Sequence, residues 1–289
     1  MELRDRICVV TGGANGIGQA LCRRFAAEGA RAVVVVDKYA DGALATAEAL
    51  GSRGTALTAD VTVEADVEAV VERTEAEIGP IDLFASNAGI LGFGGIEAPD
   101  TVWESVWSVN VLAHLYAARA MIPLMLERDG GYLLSTASAA GLLSQPGDAP
   151  YSVTKHAAVA LAEWLAIAYG DLGIKVSCVC PMAVDTSMLR GVPGPAAEPA
   201  GGSAGSDASR PEAQAAAVAG ILSPERVADS VVAGIRDERF LILPHPAVAT
   251  YEQRRAADRD RWLAGMRRLS RALAAGTRRV RTEAPPSGD

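Results

Sequence analysis

The sequence predicts an α/β fold, a doubly wound parallel sheet with helices on both faces, and three observations carry that prediction. Strand-like and helix-like segments alternate from residue 6 to residue 179, the pattern of a parallel sheet covered on both sides. The run Ala32-Val33-Val34-Val35-Val36-Asp37 is apolar without alternation, as a strand buried on both faces must be. Residues able to carry chemistry fall at or just after the strand ends, at Gly12, Asp37, Asp60, Asn87 and Ser138. In open α/β sheets ligands bind there, outside the carboxyl ends of the strands.

The elements follow in order. A strand at 6–10 feeds a glycine-rich turn, Thr11-Gly12-Gly13-Ala14-Asn15-Gly16-Ile17-Gly18. A helix runs from there to 28, its apolar face marked by Ile17, Leu21 and Phe25. Such a turn lets a diphosphate approach the backbone and the helix N-terminus. After the strand at 32–37 come a helix at 39–50, a strand at 54–59 ending on Asp60-Val61, and a helix at 63–78 with Val67, Val70, Val71 and Ile78 on one face. A strand at 81–86 closes on Asn87-Ala88-Gly89, and a long helical pattern at 101–126 contains Asn110 and Pro123. A strand at 131–135, a helix at 150–171, a strand at 175–179, a helix starting at Ser223-Pro224-Glu225 and a short strand at 240–243 complete the pattern.

Asp37 stands 19 residues after Gly18, where a carboxylate accepts hydrogen bonds from an adenosine ribose and repels a 2′-phosphate. Lys38 is the one neighbouring residue that could oppose this preference. Residues 191–220 hold 10 Ala, 6 Gly and 4 Pro, a composition expected of a lid, placed broadly at 187–222. A single amphipathic helix is expected over 247–275, striped by Trp262, Met266, Leu269 and Leu273, and a disordered tail over 276–289. Residues 1–246 then form one domain.

Net charge is −8 and apolar residues make up 49%, which supports a large core and argues against a general nucleic-acid binder. From 250 to 281 there are ten Arg against Glu252, Asp258 and Asp260, a basic end that suits a packed or subunit-contacting helix. No apolar run reaches the length of a membrane span, and the N-terminus lacks a leader pattern; a cytoplasmic protein is expected. Cys8, Cys22, Cys178 and Cys180 sit in apolar contexts, and His114, His156 and His245 are scattered, so no metal site is expected.

The chemistry centres on Tyr151-Ser152-Val153-Thr154-Lys155. Residues four apart share a helix face. An ammonium beside a phenol favours the phenolate and makes the pair a proton carrier near neutral pH. The chain has six Tyr and only three Lys, so chance would give about 0.06 such pairs.

With Thr11-Gly12-x3-Gly16-x-Gly18, Asn87-Ala88-Gly89, Asn110, Ser138 and Tyr151-x3-Lys155, the chain resembles the short-chain dehydrogenase/reductase family, in its single-domain, NAD-dependent branch, over roughly residues 5–245. The resemblance implies a Rossmann fold and assigns roles. Tyr151 is the general acid–base. Lys155 holds the nicotinamide ribose, Ser138 the substrate oxygen, and Asn110 a water linking Lys155 to solvent. The cofactor set it implies is Gly12, Asn15, Gly16, Ile17, Gly18, Asp37, Lys38, Asp60, Val61, Asn87, Ala88, Gly89, Tyr151 and Lys155, with Pro181, Val184 and Thr186 at the nicotinamide amide. Ser86, Ala137 and Met182 depart from the family pattern, and Met182 puts a bulky side chain where glycine is usual.

Leu91, Phe93, Leu142, Leu143, Met182, Met188 and Leu189, beside Ser138, are the expected substrate-pocket residues, mostly apolar and suited to a hydrophobic alcohol or ketone. Apolar residues left over on the helices at 101–126 and 150–171, among them Trp103, Trp107 and Trp164, point to a homodimer or homotetramer. Two alternatives stand beside alcohol–ketone interconversion with NAD: a non-catalytic dinucleotide-binding or sensing protein, and another reaction on the same scaffold.

Overall fold

The computed structural model describes residues 1–128, 130–190 and 220–282, with side chains to residue 272. Apart from Gly220, the expected lid at 191–220 lies outside the described residues; of the tail expected to be disordered at 276–289, residues 276–282 instead continue the last helix and 283–289 lie outside the described residues.

β1 (Ile7–Thr11) leads into α1 (Gly16–Ala27), β2 (Ala32–Asp37) into α2 (Ala40–Ala49), and β3 (Gly54–Thr58) into α3 (Glu64–Glu77). β4 (Leu83–Ser86) precedes one continuous helical run made of α4 (Asp100–Trp107), a π-helical turn (Ser108–Leu112) and α5 (Ala113–Glu127). Next come β5 (Gly131–Thr136), the short α6 (Ala140–Leu143), α7 (Ala149–Tyr169), β6 (Ile174–Val179), α8 (Ser187–Arg190), α9 (Pro224–Arg236) and β7 (Leu241–Ile242). Helices α10 (Ala247–Ala257) and α11 (Arg259–Thr282) follow.

The strands form one parallel sheet in the order β3-β2-β1-β4-β5-β6-β7. The chain reverses its direction of growth between β1 and β4, and that switch point opens a crevice above the carboxyl ends. Side chains alternate across the sheet. Val9, Val34 and Phe84 pack with α3, α5 and α7 on one face. Cys8, Val10, Val33 and Val35 pack with α1, α2 and α9 on the other. β1 and β2 are buried along their whole length, and this double burial is why their sequences carry no polar face. All four cysteines are buried free thiols. Burial pushes the Cys22 thiol up to about 12 and raises Cys8 further, which leaves both inert as nucleophiles.

Two elements differ from expectation. Asp100–Glu127 is 28 residues long with a mean hydropathy of 1.4 in its most apolar window, enough by length and composition to cross a bilayer. Half of that window is buried inside the protein, and the run serves as a core helix against the sheet. The single C-terminal helix expected at 247–275 is two helices, the second reaching Thr282. Asp258 takes extended dihedrals (φ −151, ψ 93), and its carboxylate accepts from Arg261 N at 2.9 Å. The aspartate therefore ends one helix and caps the next. The apolar stripe survives the break: Trp262 meets Tyr251 at a ring separation of 6.3 Å, and both pack on the core.

Candidate active site

The crevice begins with the turn after β1. Gly12 has φ +67, and a Cβ there would lie 2.9 Å from Ala88 Cα. A Cβ on Gly18 would lie 2.0 Å from Gly12 O. Both positions require glycine so that turn, helix and the 87–89 loop can close together. Asn15, at the N-cap of α1, makes no side-chain cap hydrogen bond, which leaves the first-turn amides at Gly16, Ile17 and Gly18 for an anion.

Asn87 ties three strand ends together. Its Nδ2 donates to Thr11 O at 3.0 Å, its Oδ1 accepts from Thr136 Oγ1 at 3.1 Å, and its N–H donates to Thr11 Oγ1 at 2.9 Å. Asn87 thus shapes the crevice floor, and Ala88 and Gly89 form its wall.

Asp37 stands at the end of β2. It is buried, its Oδ2 accepting from Ala14 N and its Oδ1 from Tyr39 N, both at 3.1 Å. One lone pair per oxygen is spent on the backbone, and others remain for further donors. Lys38 makes no ion pair with this carboxylate among the described residues, its Nζ standing 5.1 Å from the centre of the Tyr39 ring. Asp60 accepts from Thr62 N and Thr62 Oγ1, at 2.9 and 2.7 Å. Val61 packs its side chain into the core, so it can face a ligand only through its backbone.

The polar groups around Tyr151 and Lys155 come from α7, β5 and the π turn. Asp148 caps α7: its Oδ1 accepts from Tyr151 N at 2.9 Å and its Oδ2 from Gly92 N at 3.1 Å. This fully buried aspartate fixes the start of the Tyr151 helix to the loop carrying Leu91 and Phe93. Asp148-Ala149-Pro150 was a readable signal for it, because aspartate before a first-turn proline marks a helix start.

Lys155 Nζ donates to Thr136 O at 2.9 Å and stands 5.7 Å from the Tyr151 ring centre. Burial pushes its ammonium down from 10.5 to about 8. A Cβ built on Gly89 would lie 3.3 Å from both Lys155 Nζ and Asn110 Oδ1, so the glycine keeps space open above that pair. Asn110 is fully buried; its Oδ1 accepts from Ile90 N at 3.0 Å, and its Nδ2 donates to Ile90 O at 2.9 Å and Thr154 Oγ1 at 3.2 Å. It joins the 87–90 loop to α7 from within a π turn, a distortion often found at functional sites. His114, one turn further on, is buried with both ring nitrogens unpartnered among the described residues. Burial first, then the Lys155 charge, pushes it down to about 3, so it is neutral.

Ser138 Oγ accepts from Ala140 N at 3.1 Å and donates toward Pro181 O at 3.5 Å. The second contact is long and easily exchanged. Of the expected pocket residues, Leu142 and Leu143 are buried with the core, while Leu91, Met182 and Leu189 are half-buried and Phe93 and Met188 are exposed. Thr186 stands over the turn, its Cγ2 3.1 Å from a Cβ built on Gly16. Val184 bridges to Leu222. Among the described residues no three His, Cys, Asp or Glu converge on a metal-sized space.

The family model described as short chain dehydrogenase matches residues 6–194. The chain belongs to the short-chain dehydrogenase family. A 1-deoxy-11-beta-hydroxypentalenate dehydrogenase of Streptomyces exfoliatus is 40% identical over 202 residues, covering 68% of this chain and 73% of that protein. A 3beta-hydroxysteroid dehydrogenase 2 of Eggerthella lenta is 33% identical over 192 residues, covering 64% of this chain and 74% of that protein. A short-chain dehydrogenase/reductase from Burkholderia phymatum, solved in complex with NAD, superposes with a TM-score of 0.78 at 28% identity, covering 90% of this chain and 96% of that one. The family assignment agrees with a crevice whose glycines at 12 and 18 let the turn, helix and 87–89 loop close together.

The buried lysine of this dehydrogenase has a measurable consequence. Its folded pKa, about 8, lies below the unfolded value of 10.5. Below pH 8 both states carry the proton and the folded state bears the full cost of the buried charge. Between about 8 and 10.5 the folded state sheds the proton first and gains stability, by on the order of 3 kcal/mol at most. Unfolding free energies of wild type and Lys155→Met, measured in urea from pH 7 to pH 10, are expected to diverge in favour of wild type as pH rises. A difference that does not change with pH would contradict a buried ammonium.

Proposed function

We propose that Tyr151, Lys155, Ser138 and Asn110 are the catalytic group of this NAD-dependent oxidoreductase, which interconverts an alcohol and a ketone. The observation that carries the proposal is the Lys155 ammonium, buried and held on Thr136 O, one helical turn from Tyr151 at the mouth of the crevice.

NAD, when bound, supplies the hydride acceptor; the chain's residues handle the proton and the geometry. Tyr151 takes the alcohol proton as the C–H bond breaks, and the nearby ammonium favours the phenolate that does so. Ser138 exchanges its long bond to Pro181 O for the substrate oxygen and orients it. Lys155 is placed to hold the nicotinamide ribose. Asn110 holds the 87–90 loop beside Lys155, and Gly89 leaves room there for a water to return protons from solvent.

Leu91, Phe93, Met182, Met188 and Leu189 offer a hydrophobic alcohol or ketone an apolar wall. Arg190, close by in sequence, already has an anionic partner in Asp185 at the surface. The relatives named for a hydroxypentalenate and a hydroxysteroid support a hydroxylated hydrophobic substrate. A thermal-shift screen of hydrophobic secondary alcohols and ketones in the presence of NAD or NADH tests this. Stabilisation confined to charged, hydrophilic compounds would reject it.

The functional unit is proposed to be a homodimer or homotetramer. Trp107, Val153, Trp164 and Ile167 expose 41, 47, 58 and 83% of their surface on the outer sides of α4 and α7, more apolar area than an isolated subunit usually shows to water. A two-fold contact through these helices would brace the Tyr151 helix. Light scattering at micromolar concentration is expected to give a multiple of 29.9 kDa for wild type and the subunit mass for the double variant Trp164→Glu/Ile167→Asp. A fully active wild-type monomer would remove the idea.

A further inference from the structure

One peptide group stands between Ser138 and a residue that the reaction, as derived above, does not use. The carbonyl of Pro181 accepts from Ala139 N at 2.8 Å and from Ser138 Oγ at 3.5 Å. The N–H of the same peptide, on Met182, donates to Nδ1 of His245 at 3.1 Å. A peptide group is planar and turns as one body, so the acceptor on the Met182 side sets where the Pro181 carbonyl lies on the Ser138 side.

His245 is built to hold still. It is 2% exposed. Pro244 and Pro246 flank it and restrict its backbone. Its carbonyl accepts from Val248 N at 3.0 Å at the start of α10, and just before it Ile242 O accepts from Cys180 N at 2.9 Å. Because Nδ1 accepts, the ring proton sits on Nε2. The backbone of Ala183 and Gly220 faces the ring, but Nε2 makes no hydrogen bond among the described residues. The Met182 N–H is thus the donor that fixes Nδ1, with the backbone of Ala183 and Gly220 beside the ring.

We infer that His245 is a positioning residue for Ser138, holding the Pro181–Met182 peptide so that its carbonyl steadies the serine hydroxyl without capturing it. The inference rests on the reading of Ser138 as donor to the substrate oxygen. At 3.5 Å the Pro181 carbonyl is a weak competitor for that proton. Without His245 the half-buried Met182 N–H loses its acceptor, and the peptide turns to find another. The carbonyl then moves toward Ser138, and competes with substrate, or away, and leaves the serine unguided. Either motion acts on turnover more than on the adenosine half of the cofactor site, which lies at the far end of the crevice.

A double-mutant cycle tests this, with NADH affinity followed by fluorescence alongside kcat and KM. His245→Ala is expected to lower kcat about tenfold and leave the NADH affinity within about twofold. His245→Asn, whose Oδ1 falls where Nδ1 stood, should recover most of the loss. His245→Gln, whose oxygen reaches past that point, should not. In a Ser138→Ala background the His245 substitutions should change kcat little further. Equal kcat for Asn and Gln, or losses that simply add to that of Ser138→Ala, would overturn the inference and leave the reading of Ser138 intact. A Ser138→Ala enzyme with wild-type turnover would instead overturn the reading of the site itself, and this inference with it. Should His245→Ala fail to fold, the Asn and Gln variants carry the same cycle.

Discussion

Tyr151→Phe is expected to lower kcat for alcohol oxidation by roughly 10²–10⁴-fold, the range of a lost general acid–base, while NADH still binds. The substitution removes one oxygen and keeps the ring. The helix around it is fixed independently of that oxygen: Asp148 holds the Tyr151 N–H at 2.9 Å, and Lys155 is anchored on Thr136 O at 2.9 Å. Loss of activity with unchanged NADH binding and unchanged melting temperature therefore reports the chemistry. The same variant separates the readings left open by the sequence. A protein that only binds or senses a dinucleotide has no turnover to lose. Near wild-type turnover in the variant would move the proton transfer to another group and reject the mechanism.

Much of this site is legible in the sequence because its signals are local. A doubly buried strand must be apolar at every position, which exposes β1 and β2. The turn after β1 needs glycine at residues 12 and 18 for steric reasons that a sequence states directly. Tyr151 and Lys155 need only helical spacing to meet. What the sequence leaves hidden depends on atoms far apart or on small shifts of backbone bonding. Nothing near residue 182 or 245 announces the contact between them across 63 positions. The π turn at Asn110 moves hydrogen bonds by one residue and leaves the apolar pattern of 101–126 intact. Asp258 interrupts a stretch whose Ala and Arg favour helix on both sides, and only its own capping geometry shows the break. The exposed apolar face of α4 and α7 is a different case. Excess apolar residues were visible in sequence, but which of them face outward follows from how the helices lie on the sheet.

NAD is expected to be preferred over NADP by roughly 10²–10³-fold in kcat/KM, and Asp37→Ser to erase most of that preference. Two effects act together at this residue. The first is repulsion. A unit charge about 4 Å from another, at the effective dielectric of a partly buried site, costs roughly 4 kcal/mol, and a 2′-phosphate would bring its charge to a buried carboxylate. The second is the use of donors. Asp37 occupies the N–H groups of Ala14 and Tyr39, each at 3.1 Å, so a phosphate arriving there finds an anion and no free amide. Removing the carboxylate lifts the repulsion and releases both N–H groups toward the added phosphate. The same change takes from NAD its ribose acceptor, so its kcat/KM should fall as that of NADP rises. Lys38 is a poor substitute partner in the parent protein, because its ammonium lies over the Tyr39 ring at 5.1 Å. Once Asp37 is gone it is the nearest cation in sequence, and adding Lys38→Ala to Asp37→Ser should lower the NADP rate again. Steady-state kinetics with both cofactors and one alcohol measure all three proteins. A wild-type enzyme that prefers NADP would show that Lys38 leaves the Tyr39 ring to meet the phosphate, and Asp37 could then no longer be the residue that selects the cofactor.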